Sequence, residues 1–213
     1  MAVAALAAIA SALVGGGAVW LHYLFKPTAT FLILVRAWRP ADPFDLKYRA
    51  RVSVALVFCA AGDIFLMLPL DQGFILGLAS FLVGHLWFIA AATRGVGIAA
   101  VVSPFAVYGI VSAAILAALW PAVPSSLAVP VVAYVVVLTF MAAQGAVRQR
   151  VLKTNSAFSL AAGGACFLVS DSLLAWDRFA GPLPLGRLWV LASYYLAIWL
   201  IARSVSGSAA AAR

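Results

Sequence analysis

The stretch Gly73-Phe-Ile-Leu-Gly77-Leu-Ala-Ser80-Phe81-Leu-Val-Gly84-His85-Leu-Trp-Phe-Ile-Ala-Ala-Ala92-Thr93 contains a single ionisable side chain, His85. A helix crossing a hydrocarbon core about 30 Å thick needs roughly 20 such residues. The apolar side chains surround every face of that helix, and nothing alternates as a barrel strand would. In hydrocarbon the backbone polar groups must be paired within the segment, which a helix achieves. Seven further apolar runs, at about 2–22, 26–38, 52–70, 97–119, 127–147, 156–176 and 187–203, read the same way. The second is short and opens on Lys26-Pro27, where proline suits a first helical turn. The breaks carry turn residues, as in Arg39-Pro40-Ala41-Asp42-Pro43 and Pro121 to Ser126.

Composition agrees. Hydrophobic residues make up 66% of the chain and charged residues 9%, against about 25% charged in a soluble domain. One aqueous core cannot hide every face of every helix. The expectation is an all-α, polytopic membrane helix bundle of about eight transmembrane helices. Residues 1–203 form one domain, and 204–213 form a small, polar, disordered tail. The first run has no Lys or Arg ahead of it, and its first basic residue is Lys26, so it reads as a retained span and not a cleaved signal.

With eight spans the 14 basic residues divide unevenly. Arg36, Arg39, Lys47, Arg49, Arg51, Arg94, Arg148, Arg150, Lys153, Arg203 and Arg213 fall on one side, and Lys26, Arg178 and Arg187 on the other. Basic loops stay inside, so both termini are expected in the cytoplasm. Ala-, Val- and Arg-rich usage points to a high-GC bacterium and its plasma membrane. The net charge of +8 follows from this bias and from contact with anionic headgroups. Without a basic soluble face, nucleic-acid binding is excluded. Trp20, Tyr23, Trp38, Trp120 and Trp176 read as an interfacial belt, and His22 as a structural neighbour of it. Cys59 and Cys166 lie mid-span and behave as small hydrophobes, with no metal-ligand spacing.

The ionisable residues inside the spans carry the functional signal. All six acids are Asp. Asp42, Asp45, Asp71 and Asp177 fall in loops, whereas Asp63 and Asp171 are embedded in Gly62-Asp63-Ile-Phe-Leu-Met67 and Ser170-Asp171-Ser-Leu-Leu-Ala175. An acid at the centre of a span costs about 2.5–3.5 kcal/mol on insertion scales, so it faces a partner or a cavity. Counting at 1.5 Å per residue puts Asp63 roughly 11 Å, and Asp171 roughly 8 Å, from the outer ends of their spans. Lys26 starts at that side and His85 lies near mid-span, so all four can line one cavity. Small residues Gly73, Gly77, Ser80 and Gly84 form a packing stripe, and Ala157, Ala161, Gly164 and Ala175 share a face with Asp171. The plainer readings are an Asp–Lys26 pair that only holds the bundle together, and a His85 that only packs.

Lys26-Pro27-Thr28, Gly62-Asp63-Ile-Phe-Leu-Met67, Phe74-x-x-Gly77-x-x-Ser80-Phe81-x-x-Gly84-His85 and Ser170-Asp171-Ser-Leu-Leu-Ala175 follow one another as in YhhN-like membrane proteins. Tyr134 with Met141, and Tyr194-Tyr195, also resemble that family, while Phe88 and Ile198 depart from its pattern. The resemblance runs from about Lys26 to the eighth span. It implies lysoplasmalogenase activity: hydrolysis of the vinyl ether of a lysophospholipid to a fatty aldehyde and a glycerophospho-headgroup. A vinyl ether is protonated at carbon, and water attacks the resulting oxocarbenium ion. An acid and an ionised carboxylate suit that task. The resemblance thus implies Asp63 and Asp171 as the acid/base pair, with the choice of acid left open, and His85 as an aid to water or proton movement. Lys26 would hold the phosphate, and Tyr194, Tyr195, Phe81 and Ser170 would face the substrate. No cofactor or metal is implied, and the partners are a lysophospholipid and the bilayer. The rival class is a small-solute or proton-coupled transporter using the same Asp and His residues as a relay. Asp63 and Asp171 each follow a Gly or Ser, with a Cys four or five residues before, which hints at a parallel four-helix duplication.

Overall fold

The structure, a computed structural model, describes residues 2–14, 19–38, 45–69 and 72–206, and every regular element among them is helical. In chain order these are α1 (Ala2–Val14), α2 (Val19–Trp38), α3 (Leu46–Met67), α4 (Gly73–Ala92), α5 (Ser103–Leu119), α6 (Ser125–Leu152), α7 (Asn155–Ala175) and α8 (Gly186–Arg203). Short turns extend α5, α7 and α8, and with them the six helices α3 to α8 are long and apolar enough to cross a membrane. α1 has 13 residues, about 20 Å at helical rise. α2 has 20 residues, but Lys26, Pro27, Thr28 and Thr30 dilute its apolar character.

One boundary differs from the hydropathy reading. The apolar run 2–22 is not one helix, because residues 19–22 form the first turn of α2. The intervening Gly15, Gly16 and Gly17 lie outside the described residues. Glycines are poor helix formers, yet they do not interrupt a hydropathy profile. The consequence is functional: Lys26 stands two turns inside α2, not at its mouth. At the other end, Ser204–Ser206 continue as a 3-10 turn with Ser204 and Val205 buried, so structure runs three residues past the expected start of the tail. Residues 207–213 lie outside the described residues.

The expected cytoplasmic end is locked by polar contacts. Asp45 caps α3 by accepting the N–H groups of Lys47 at 2.8 Å and Tyr48 at 3.2 Å, as an N-cap should. It also accepts the Arg94 Nε–H at 2.6 Å. Burial works against ionisation of Asp45, but these donors outweigh it and hold its carboxyl below the usual carboxylate range. Arg148, expected in a loop, is buried at the end of α6. Its guanidinium donates to the carbonyls of Ala92 and Arg94 and lies 4.8 Å over the Tyr48 ring. Tyr48 in turn shares a 2.6 Å hydrogen bond with Ser204.

Helix packing repeats after four elements. α1 packs on α2, α2 on α3, α3 on α4, and α2 on α8. Correspondingly α5 packs on α6, α6 on α7, α7 on α8, and α6 on α4. Close helix approach uses the small residues. The Ser80 hydroxyl donates to the Phe58 carbonyl at 2.8 Å, and a Cβ on Gly84 would stand 3.1 Å from the Ala55 carbonyl oxygen. The repeat breaks at one end: α1 packs closely on α8, whereas α5 makes no comparable contact with α4. A cavity occupies that place, with α4 on one side and α5 on the other.

Candidate active site

Asp63 reaches the centre of the bundle from α3. Its Oδ1 pairs with the Lys26 ammonium at 3.1 Å. Its Oδ2 accepts the Thr30 hydroxyl at 2.8 Å and the Tyr194 hydroxyl at 2.6 Å. Lys26 and Thr30 are four residues apart on α2 and therefore share a face. Both oxygens are occupied, and the residue is 1% exposed. A buried charge is tolerated when it is paired and hydrogen-bonded in this way.

Asp171 is placed differently. It accepts one side-chain hydrogen bond, from the Tyr134 hydroxyl of α6, and no cation stands within ion-pair distance of it among the described residues. Asp171 and Tyr134 line the cavity between α4 and α5, which measures about 70 Å³. Its other walls are almost entirely apolar, with Leu78 and Phe81 from α4, Ile115 and Leu116 from α5, and Leu138 and Leu168 opposite.

An aromatic cluster joins the two carboxyl sites. The Phe167 ring is 5.7 Å from that of Tyr194 and 4.6 Å from His85, and His85 is 5.3 Å from Tyr134. Phe81 stands 5.9 Å from Tyr194, so the same ring touches the Asp63 cluster and lines the cavity. His85 is wholly buried, and neither ring nitrogen has a hydrogen-bond partner among the described residues.

The sequence-derived candidates therefore fall into separate groups. Lys26, Asp63 and Tyr194 form one cluster, Phe81 and Asp171 line the cavity, and His85 lies between them. Ser170 donates to the Val190 carbonyl at 3.1 Å and staples α7 to α8, and the Tyr195 hydroxyl is buried without a partner among the described residues. Of Asp63, Asp171, His85 and Lys26, expected to line one cavity, Asp171 lines the one between α4 and α5 and the other three do not. Lys26 lies deep enough in α2 to reach Asp63, and their pairing closes that side. Sequence reasoning misses Thr30, although its position one turn after Lys26 is a usable signal. Tyr134 stands out in the sequence only through its resemblance to the family. It follows Pro130 by one turn on α6, much as Thr30 follows Pro27 on α2. No group of three or more His, Cys, Asp or Glu side chains able to hold a metal comes together among the described residues.

Apolar helices enclosing two embedded carboxyls, one of them open to an apolar cavity, define a polytopic helical membrane protein with a buried polar site. Residues 21–205 match the YhhN family, and the chain belongs to it. It is 33% identical over 196 residues to the pig protein "Lysoplasmalogenase TMEM86B", covering 89% of this chain and 77% of that one. It is 32% identical to human "Lysoplasmalogenase TMEM86A" over 72% of this chain and 64% of the relative. With "Lysoplasmalogenase" of Mycobacterium bovis it shares 33% identity over 74% of this chain and 61% of that protein. The chain thus spans somewhat under two thirds of the length of these last two relatives. No solved structure matches the chain significantly.

Proposed function

We propose that this protein is a membrane-embedded hydrolase that cleaves the vinyl ether of a lysoplasmalogen or a related single-chain ether lipid. The observation that carries this reading is Asp171, a carboxyl held by Tyr134 on the wall of an apolar cavity. Three relatives with names of that activity, each about a third identical, support it. The alkenyl chain lies in the cavity between α4 and α5, entering sideways from the bilayer. Asp171 donates a proton to the vinyl carbon remote from the ether oxygen, leaving an oxocarbenium ion. The Asp171 carboxylate then takes a proton from water as its oxygen bonds to that cation. The resulting hemiacetal collapses to a fatty aldehyde and the glycerol hydroxyl, with one water consumed.

Asp63 has no free oxygen with which to handle water, so its part is electrostatic. Its negative charge, fixed by Lys26, Thr30 and Tyr194, lies within reach of the cation formed near Asp171, the kind of preorganised stabilisation that contributes most to many reactions. His85 packs on Tyr134 and positions it; it does not relay protons. The basic residues of the α2–α3, α4–α5 and α6–α7 connections support a cytoplasmic position for those loops and both termini, in a bacterial plasma membrane.

The deciding experiment incubates purified protein in detergent with a lysoplasmalogen and measures free aldehyde. Aldehyde release by wild type and its loss in Asp171→Asn support the reading; no release contradicts it. The four-helix repeat favours a second reading, a proton-coupled carrier, for which solute-driven proton uptake in proteoliposomes is the direct assay.

A further inference from the structure

Resting on that reading, we propose that Arg178, at the mouth of the cavity, is the site that binds the phosphate of the lipid headgroup. Lys26 is unsuited to that role, because its ammonium is buried against Asp63 and does not line the cavity. Arg178 is exposed and sits in the π-helical turn Trp176–Ala180 that extends α7. The next residue, Phe179, lines the cavity and meets the ring of Phe74, another wall residue, edge-on at 5.9 Å. The Arg178 guanidinium lies 5.1 Å over that Phe74 ring. The cation–π contact holds the guanidinium beside the rim, and none of its N–H groups is engaged in a hydrogen bond among the described residues.

No carboxylate pairs with Arg178 among the described residues. Its neighbour Asp177 is turned into the following loop, where it accepts the Leu183 N–H at 2.9 Å. The spacing fits the substrate class. Arg178 follows Asp171 by seven residues, about 10 Å along a helix axis. In a lysoplasmalogen the carbon that takes the proton and the phosphorus are separated by seven bonds, roughly 8 Å extended at the advance of a polypeptide backbone, and the length of the arginine side chain covers the remainder. A chain end held at Asp171 therefore brings the phosphate to the guanidinium. Bidentate hydrogen bonding to phosphate is what arginine geometry favours.

The test separates this role from a simple interfacial anchor. Full-length protein in detergent is titrated calorimetrically with a saturated 1-O-alkyl lysophospholipid, which resists vinyl-ether cleavage, and with the 1-O-alkylglycerol of the same chain. For Arg178→Gln, affinity for the lysophospholipid is expected to fall about tenfold, the scale of one charged hydrogen bond. Affinity for the alkylglycerol should hold, which also reports intact folding, and Arg178→Lys should recover part of the loss. Equal weakening for both ligands, or no weakening for either, overturns the proposal. Failure of wild type to release aldehyde while this pattern holds would instead remove the proposed chemistry and leave the headgroup site standing.

Discussion

The two halves of the molecule share an arrangement of helices but use their carboxyls in opposite ways. In α1 to α4, Asp63 is bound by Lys26 and Thr30 from α2 and by Tyr194 from α8, so that each of its oxygens already has a partner. In α5 to α8, Asp171 has Tyr134 from α6 as its side-chain donor and opens on the cavity. Outside the core the same contrast holds: α1 closes against α8, while α5 stands away from α4. The repeated packing thus offers two comparable places for an acid in the membrane, one filled with partners and the other open on the cavity. On the proposed reading the first serves structure and field and the second chemistry.

Replacing the carboxyl of each half is the strongest way to break the comparison. Asp63→Asn leaves the Lys26 ammonium buried without its counter-charge, and breaking a buried pair this way costs about 3–5 kcal/mol. A large fall in thermal midpoint in detergent is expected, with partial recovery in Asp63→Asn/Lys26→Met. Asp171→Asn has no such pair to break, so its midpoint should stay close to wild type while turnover falls by at least about two orders of magnitude, the scale for a general acid. Similar loss of midpoint in both variants would erase the distinction between the halves.

Smaller changes sharpen it. Tyr134→Phe keeps the ring packed against His85 but removes the hydroxyl on Asp171, and turnover should fall roughly tenfold, less than the general-acid scale. The smallest effects belong to the helix caps, Asp45 on α3 and Thr154 on α7. Either cap replaced by Ala should cost about 1 kcal/mol in denaturant titrations, with Asp45→Ala the larger because it also frees Arg94. Only the Asp45 contribution should depend on pH. Its folded carboxyl is held below its ordinary range, so its stabilisation is present above an unfolded value of about 3.9 and fades as pH falls through the folded value.

Much of this architecture is legible in the amino-acid sequence, and for physical reasons. Hydrocarbon admits few polar groups, so runs such as 73–93 announce themselves, and embedded residues such as Asp63 and Asp171 stand out against them. The start of α2 is not legible, because Gly15 to Gly17 are neutral in hydropathy. With that boundary misplaced, Lys26 reads as a mouth residue able to hold a phosphate. Its pairing with Asp63 depends on how α2 crosses α3, a tertiary fact. The cavity is likewise a missing contact between α4 and α5, and no local pattern records a gap.

The central claim is that Asp171 protonates carbon in the cavity, and turnover in heavy water tests it most directly. Lysoplasmalogen is cleaved in deuterated buffer, the aldehyde is reduced at once to the alcohol to prevent exchange, and the product is read by mass spectrometry. One solvent deuterium should appear at the carbon that neighboured the aldehyde, formed at a rate that collapses in Asp171→Asn. Aldehyde carrying no deuterium at that carbon, or undiminished labelling and rate in Asp171→Asn, would contradict the account.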